Sequence, residues 1–239
     1  MITTRQYGII GDGRLARHLL HWFALKELPT RQWHRRGAMA EQPPEMFLQG
    51  VDLVIVAISD DAIETFIEAH SGLKAFVLVH CSGSLSTPLA FGAHFLQTFG
   101  DQRFPDAVYD DIPVVLDDDA PAFEMLFPEL SNPVARIALA DKAKYHALSV
   151  LACSGTQLLW QKLQKEFREM DIDPALARPL LMQSADAVLA DPSLTVTGPF
   201  TRGDTKTMSR NLTALAGDPY APVYQAFQGL FGDAIKRQS

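Results

Sequence analysis

Apolar positions in the first half of the chain fall into short runs separated by stretches of helical spacing. Tyr7-Gly8-Ile9-Ile10 reads as a short buried strand, and residues 14–25 read as a helix on which Leu15, Leu19, Leu20 and Phe23 recur at helical intervals. RQWHRR, residues 31–36, gives a second strand. VDLVIVAIS, residues 51–59, is a near-continuous β-branched run, the pattern of a parallel strand covered on both faces. DDAIETFIEAH, which follows, is a helix begun by acidic residues. AFVLVHCSG (75–83) and DIPVVLDDD (111–119) repeat the strand pattern. Strands alternating with helices predict a parallel sheet.

The pattern changes near residue 122. Residues 141–170, DKAKYHALSVLACSGTQLLWQKLQKEFREM, keep their apolar positions at helical spacing over about eight turns of ~3.6 residues each. Residues 174–190, 204–216 and 220–237 also read as helices, broken by DPSLTVTGPFTRGD and GDPYAPV. The expected fold class is therefore α/β, a parallel-sheet domain over residues 1–135 followed by an all-α domain over 136–239. The boundary lies in SNPVARIALA, residues 131–140.

Composition narrows the partners more than the fold. An apolar share of 47% against 21% charged residues suits a folded chain with a sizeable core. The formal net charge of -7, without any Lys/Arg run, argues against a nucleic-acid partner, which demands a dense cationic patch. A small-molecule ligand is expected. The two cysteines, Cys81 and Cys153, have neither disulfide-framework nor metal-ligand spacing, so no metal is expected and a cytoplasmic location fits. No signal-peptide pattern and no run of ~18 apolar residues is seen, so neither secretion nor a membrane partner is expected.

Chemistry first enters at IIGDGRLA. Gly11, Gly13 and Ala16 form G-x-G-x-x-A between a predicted strand and a predicted helix. In a dinucleotide site the first glycine permits the tight turn and the second lets a pyrophosphate approach the backbone. The third small residue lets helix and strand pack closely, and the N–H groups of Arg14, Leu15 and Ala16 face the anion. The competing reading is a strand-to-helix corner that binds nothing. About 20 residues on, where an NAD site places a carboxylate for the ribose, the chain has His34, Arg35 and Arg36. Two guanidinium groups without a carboxylate favour a 2′-phosphate, hence NADP (NADPH) as cofactor. At the ends of the next two strands, Ser59 and Asp60 are placed to flank the dinucleotide, and Ser82 and Gly83 to line its nicotinamide end. Each could equally belong to an ordinary polar loop or helix cap.

GDGRLA, AISDDAI, HCSGSL, FLQTF, KYHALSVLACS and GPFTRGD, in this order, resemble an uncharacterised bacterial Rossmann-like family whose C-terminal helical domain has no known function. That family is similar to 6-phosphogluconate dehydrogenase, pyrroline-5-carboxylate reductase and ketopantoate reductase. The resemblance implies a Rossmann domain, an NADP-dependent oxidoreductase and a homodimer. Its implied substrate is a small 2-oxo acid, with ketopantoate (pantothenate biosynthesis) as the named candidate. An imine reductase and a non-catalytic dinucleotide-binding regulator are the alternatives. The chain departs from the family's pattern at Ser154, where asparagine is usual, at Asn211, where histidine is usual, and at Phe95, where proline commonly follows the histidine.

On the long helix, Lys142, His146, Ser149 and Cys153 are spaced by four, three and four residues and should share a face. Related β-hydroxyacid dehydrogenases carry lysine and, four residues on, asparagine; Lys142 and His146 match that spacing with histidine in the second place. Reducing a ketone creates an alkoxide, so the site needs a proton donor and a group to hold the substrate carboxylate. His146 and Lys142 are the candidate donors, and Arg202, on the TGPFTRGD turn, is the candidate carboxylate clamp. Asp204 on the same turn reads equally as a helix cap.

Overall fold

β1 (Tyr7–Ile10) is buried at every residue and leads through a glycine turn into α1 (Arg14–Leu25). Then come β2 (Thr30–Trp33), α2 (Pro44–Phe47), β3 (Leu53–Val56), α3 (Asp60–Ala69), β4 (Val77–His80) and β5 (Phe91–Phe95). β6 (Val114–Asp117), α4 (Phe123–Leu126) and β7 (Val134–Ile137) complete one seven-stranded sheet in the order β2-β1-β3-β4-β5-β6-β7. The computed structural model describes residues 4–191 and 197–238.

Strands β2, β1, β3, β4 and β5 run parallel. The last residues of β2, β1, β3 and β4, namely Trp33, Ile10, Val56 and His80, align in one row that Gly92, near the start of β5, continues. The chain leaves β1 to one side for β2 and returns on its other side for β3, so a crevice opens at the carboxyl end of β1, where sheets of this kind hold ligands. Alternate residues of the strands feed the two faces. Tyr7 and Ile9 pack with Leu19, Trp22 and Phe23 of α1, while Ile10, Val54 and Val56 pack with Ile63 and Ile67 of α3. Each large apolar side chain so buried contributes roughly 1.5–3 kcal/mol.

Residues 111–119 do supply a strand, but β6 runs antiparallel to β5. The connection between them carries only a 3-10 turn, Asp106–Asp111, and no α-helix to cover a crossover.

The long helix begins with α5 (Lys142–Val150), passes through a π-helical segment, Leu151–Gly155, and continues as α6 (Thr156–Glu169). α7 (Arg178–Ala190), α8 (Pro199–Arg202), α9 (Thr205–Ala214) and α10 (Ala221–Gln238) follow. Residues 192–196 of the expected break lie outside the described residues. By contact density the chain divides into two compact units, 1–158 and 159–239. The division falls inside the helix, not at residue 135, because α5 is tied to the sheet by a buried ion pair and a hydrogen bond described below. Among the described residues no helix is long and apolar enough to cross a membrane.

Candidate functional site

Gly11 and Gly13 are glycines for different reasons. Gly11 has φ +129°, and a Cβ there would overlap the Ala57 carbonyl, so the fold itself requires glycine. Gly13, the N-cap of α1, has an ordinary φ of -69°, and a Cβ there would meet nothing within 4 Å. Its lack of a side chain keeps open a cavity of about 440 Å³. Gly11, Gly13, Arg14, Leu15, His34, Arg35, Ala57 and Ser59 line that cavity. Gln32 donates to the Gly11 carbonyl at 2.8 Å and fixes the turn. The start of α1 has no side-chain cap and no acidic residue in its first turn, so its N–H groups and dipole are left to an anion.

The other expected nucleotide-site residues divide. Ala16 is fully buried between helix and strand, the packing role expected of it. Arg14 lines the cavity with its guanidinium paired to Asp101 (3.0 and 3.1 Å). Arg36 is turned to Asp12 (2.5 Å), which offsets the one carboxylate in the lining. Arg35 lines the cavity with no ion-pair partner among the described residues. Asp60 and Ser82 do not line it. The buried Ser82 hydroxyl donates to Asp60 (2.5 Å) and accepts from the Leu85 N–H (2.9 Å), which ties the ends of β3 and β4 together. Gly83 does not line it either: a Cβ at 83 would overlap the His146 ring and lie 3.1 Å from His94.

A second set of polar side chains lies at the same edge of the sheet, over β4 and β5. Lys142 is 1% exposed and pairs with Asp117, itself 2% exposed, at 2.6 and 2.8 Å. Their contact passes over Gly92, where any Cβ would overlap both the carboxylate and the ammonium. Lys142 is therefore neither a solvated side chain at the helix start nor a free cation. One turn further along α5, the Tyr145 hydroxyl and His94 Nδ1 are hydrogen-bonded at 2.8 Å. The His146 ring stands edge-to-face to His94, 5.8 Å between centroids. Burial above all, with the charges of His146 and Lys142 adding, pushes the His94 pKa down to about 4, so its ring is neutral near pH 7. His80, fully buried, is likewise pushed to about 4 by burial and by Lys142. Burial raises the Tyr145 phenol above its ordinary value, so it keeps its proton.

Sequence reasoning brought Lys142 and His146 to one face but missed Asp117, His94 and Tyr145. The available signal was positional: Tyr145 is three residues after Lys142, and His94 two after Gly92. Ser149 stays on this stripe, its hydroxyl donating to the Tyr145 carbonyl at 3.0 Å. Cys153 leaves it, exposed within the π-helical segment, where the wider turn breaks the 3.6-residue phase. Ser154 is exposed in the same segment.

In the unit formed by residues 159–239, Arg202 is exposed at the end of α8. Asp204 caps α9, accepting from the Thr207 N–H (3.1 Å) and hydroxyl (2.8 Å), which holds its carboxyl below the ordinary value. Asn211 donates to the Tyr224 hydroxyl at 2.8 Å. Among the described residues no group of three or more His, Cys, Asp or Glu could hold a metal ion.

The order of the strands and the glycine turn define a Rossmann-like α/β fold. Residues 116–229 match the model of a family described as "Domain of unknown function (DUF2520)". No curated protein matches the sequence. Among solved structures, the fold is similar to a Bacteroides fragilis protein provisionally named an NADP oxidoreductase. Identity is 20%, the TM-score is 0.76, and the match covers 96% of this chain and 98% of that one. It is also similar to a Streptomyces aurantiacus imine reductase (16%, TM-score 0.67, 98% and 100% covered). A third is an Aspergillus terreus reductive aminase in complex with NADPH and ethyl levulinate (16%, TM-score 0.64, 98% and 95% covered).

Proposed function

We propose that this protein is an NADPH-dependent reductase acting on a polarised C=O or C=N bond of a small molecule. The observation that carries the reading is Gly13, where neither backbone conformation nor packing calls for glycine and the missing side chain leaves the cavity open. NADPH fits the residues present: the uncapped start of α1 for its pyrophosphate, and Arg35 for its 2′-phosphate. The complex of the similarly folded reductive aminase with NADPH supports the same choice. When bound, the cofactor supplies a hydride. The chain must then provide a proton and orient the substrate. His146, beside Gly83 and His94, is the candidate donor from the sequence, and Arg202 the candidate clamp for a carboxylate.

The first substrate reading is a small 2-oxo acid, with ketopantoate as the named case. One observation favours an imine instead. Asp117 already matches the charge of Lys142, and His94 is neutral, so the cluster over β5 presents no free cation from these residues to an anionic substrate. Such a lining suits a cationic iminium. NADPH oxidation over a panel of 2-oxo acids and cyclic imines separates the readings. Turnover of keto acids alone supports the first, and turnover of imines alone the second. Tight NADPH binding without any turnover identifies a dinucleotide-binding regulator.

We also propose a cytoplasmic homodimer. Leu176 and Leu180, four residues apart and 67% and 61% exposed, are large apolar side chains that a second copy would cover.

A further inference from the structure

We propose that Tyr145 delivers the proton in the reduction and that His94, through an Nδ1–H donated to the phenol oxygen, positions it; the inference rests on the reductase reading. The geometry starts from the pinned helix. Lys142 lies over Gly92 and Tyr145 meets His94, so two residues three apart on α5 engage two residues two apart on β5. Three helical residues rise about 4.5 Å at ~1.5 Å each, and two strand residues about 6.6 Å at ~3.3 Å each. Side chains as long as lysine and tyrosine span the difference. The Lys142–Asp117 pair thus fixes the start of α5 over the sheet, and Tyr145 cannot slide against His94.

Protonation states then decide the roles. A neutral His94 has one N–H and one lone pair, and either tautomer could make the 2.8 Å bond. If Nδ1 accepted, the phenol's proton would be committed to the histidine. With Nδ1–H donating, the phenol's proton is free for substrate, and the phenolate left behind has a hydrogen bond already in place. His146 has no such partner among the described residues. The groups that act on His94 are Tyr145, His146, Lys142 and Asp60, whose charge pulls the His94 pKa upward against the other causes.

The step balances. The substrate carbon gains a hydride from the dihydronicotinamide, which is oxidised, and the C=O or C=N π pair moves to the heteroatom. In a ketone, or in an imine that binds unprotonated and so becomes an iminium at the site, that atom takes the phenolic proton: the Tyr145 O–H bond breaks and the product O–H or N–H forms. His94 Nδ1–H holds the phenolate until water reprotonates it. Burial raises the Tyr145 phenol above its ordinary pKa of about 10, so it keeps its proton near pH 7, and it gives that proton up as alkoxide character develops because an alkoxide is a far stronger base than phenolate.

Two measurements test the inference. The first needs no cofactor. Tyrosinate absorbance is titrated in the wild type, Tyr145→Phe, His94→Leu and His94→Asn, with the Tyr145→Phe difference isolating one of the five tyrosines. Loss of a donated hydrogen bond in His94→Leu should raise the Tyr145 pKa by about one unit, and the amide N–H of His94→Asn should reverse most of that rise. A downward shift, or none, overturns the tautomer and with it the proposal. The second is turnover. Tyr145→Phe should lower kcat about 10²- to 10⁴-fold with NADPH affinity unchanged, and by more than His146→Gln does. Tyr145→Phe at near wild-type kcat, or a larger loss in His146→Gln, overturns the proposal while the reductase reading stands. A wild-type protein that reduces no carbonyl or imine overturns both.

Discussion

At the scale of single residues, the two glycines of the first turn should respond oppositely to the same change. Gly13→Ala should cost no more than about 1 kcal/mol of stability, the usual difference at an N-cap, yet weaken NADPH binding at least tenfold, because the new methyl projects into the cavity. Gly11→Ala should cost more than about 2 kcal/mol from overlap with the Ala57 carbonyl and a positive φ. Denaturant unfolding and fluorescence titration with NADPH check both. The arginines divide in the same way. NADPH should bind at least tenfold tighter than NADH, about 1.4 kcal/mol, and Arg35→Ala should remove more of that gap than Arg36→Ala, since Arg36 is held by Asp12. Equal affinities for the two cofactors in the unmodified protein would rule out the 2′-phosphate reading.

At the scale of elements, α5 is secured to the sheet by a buried ion pair whose members depend on each other. Lys142→Met alone should destabilise the protein by about 3–5 kcal/mol, because it strands a carboxylate in a dry site, and Lys142→Met with Asp117→Leu should recover much of that loss. Urea unfolding of the two variants measures the difference. β4 and β5 carry a second, pH-dependent element effect. His80 and His94 titrate near 4 when folded and near 6.5 when unfolded, so between those values the unfolded chain binds more protons. Their contribution is complete above about pH 6.5 and is lost as pH falls towards 4, by at most about 1.4 kcal/mol per pH unit for each histidine. Thermal unfolding across that window should show Tm falling with pH. These buried polar groups also explain what the sequence concealed. β1, β3 and β4 declared themselves through apolar runs, and G-x-G-x-x-A through its place between strand and helix. β5, FGAHF, did not: its glycine answers to Lys142 and Asp117 and its histidine to Tyr145, neither of which is near in sequence. β7 is an edge strand with mostly exposed residues, so it lacks the apolar pattern of a core strand. The π-helical turn changes phase without any glycine or proline to announce it before Gly155.

At the scale of the molecule, the exposed leucines of α7 and the turn before it predict a dimer in sedimentation equilibrium at micromolar concentration. Leu176→Glu with Leu180→Glu should shift the equilibrium to monomer without loss of helix content by circular dichroism. A wild-type protein sedimenting as a monomer would leave those side chains unexplained by self-association and remove the homodimer. Charge distribution bears on the choice of substrate at this scale as well. The net charge of -7 repels anions over long range. If a 2-oxo acid is the true substrate, its kcat/KM should rise with added salt, whereas that of a cationic iminium should fall.

Gly92 restricts the order in which this sequence could change over generations. While Lys142 and Asp117 both remain, no side chain fits at 92. A descendant must first replace both side chains with smaller ones before alanine becomes admissible there, and one that has already acquired alanine cannot regain the ion pair without losing it. The three positions, far apart in the chain, should therefore vary among related sequences as a single inherited unit, and a library randomised at 92, 117 and 142 together should return glycine wherever it returns the lysine–aspartate pair.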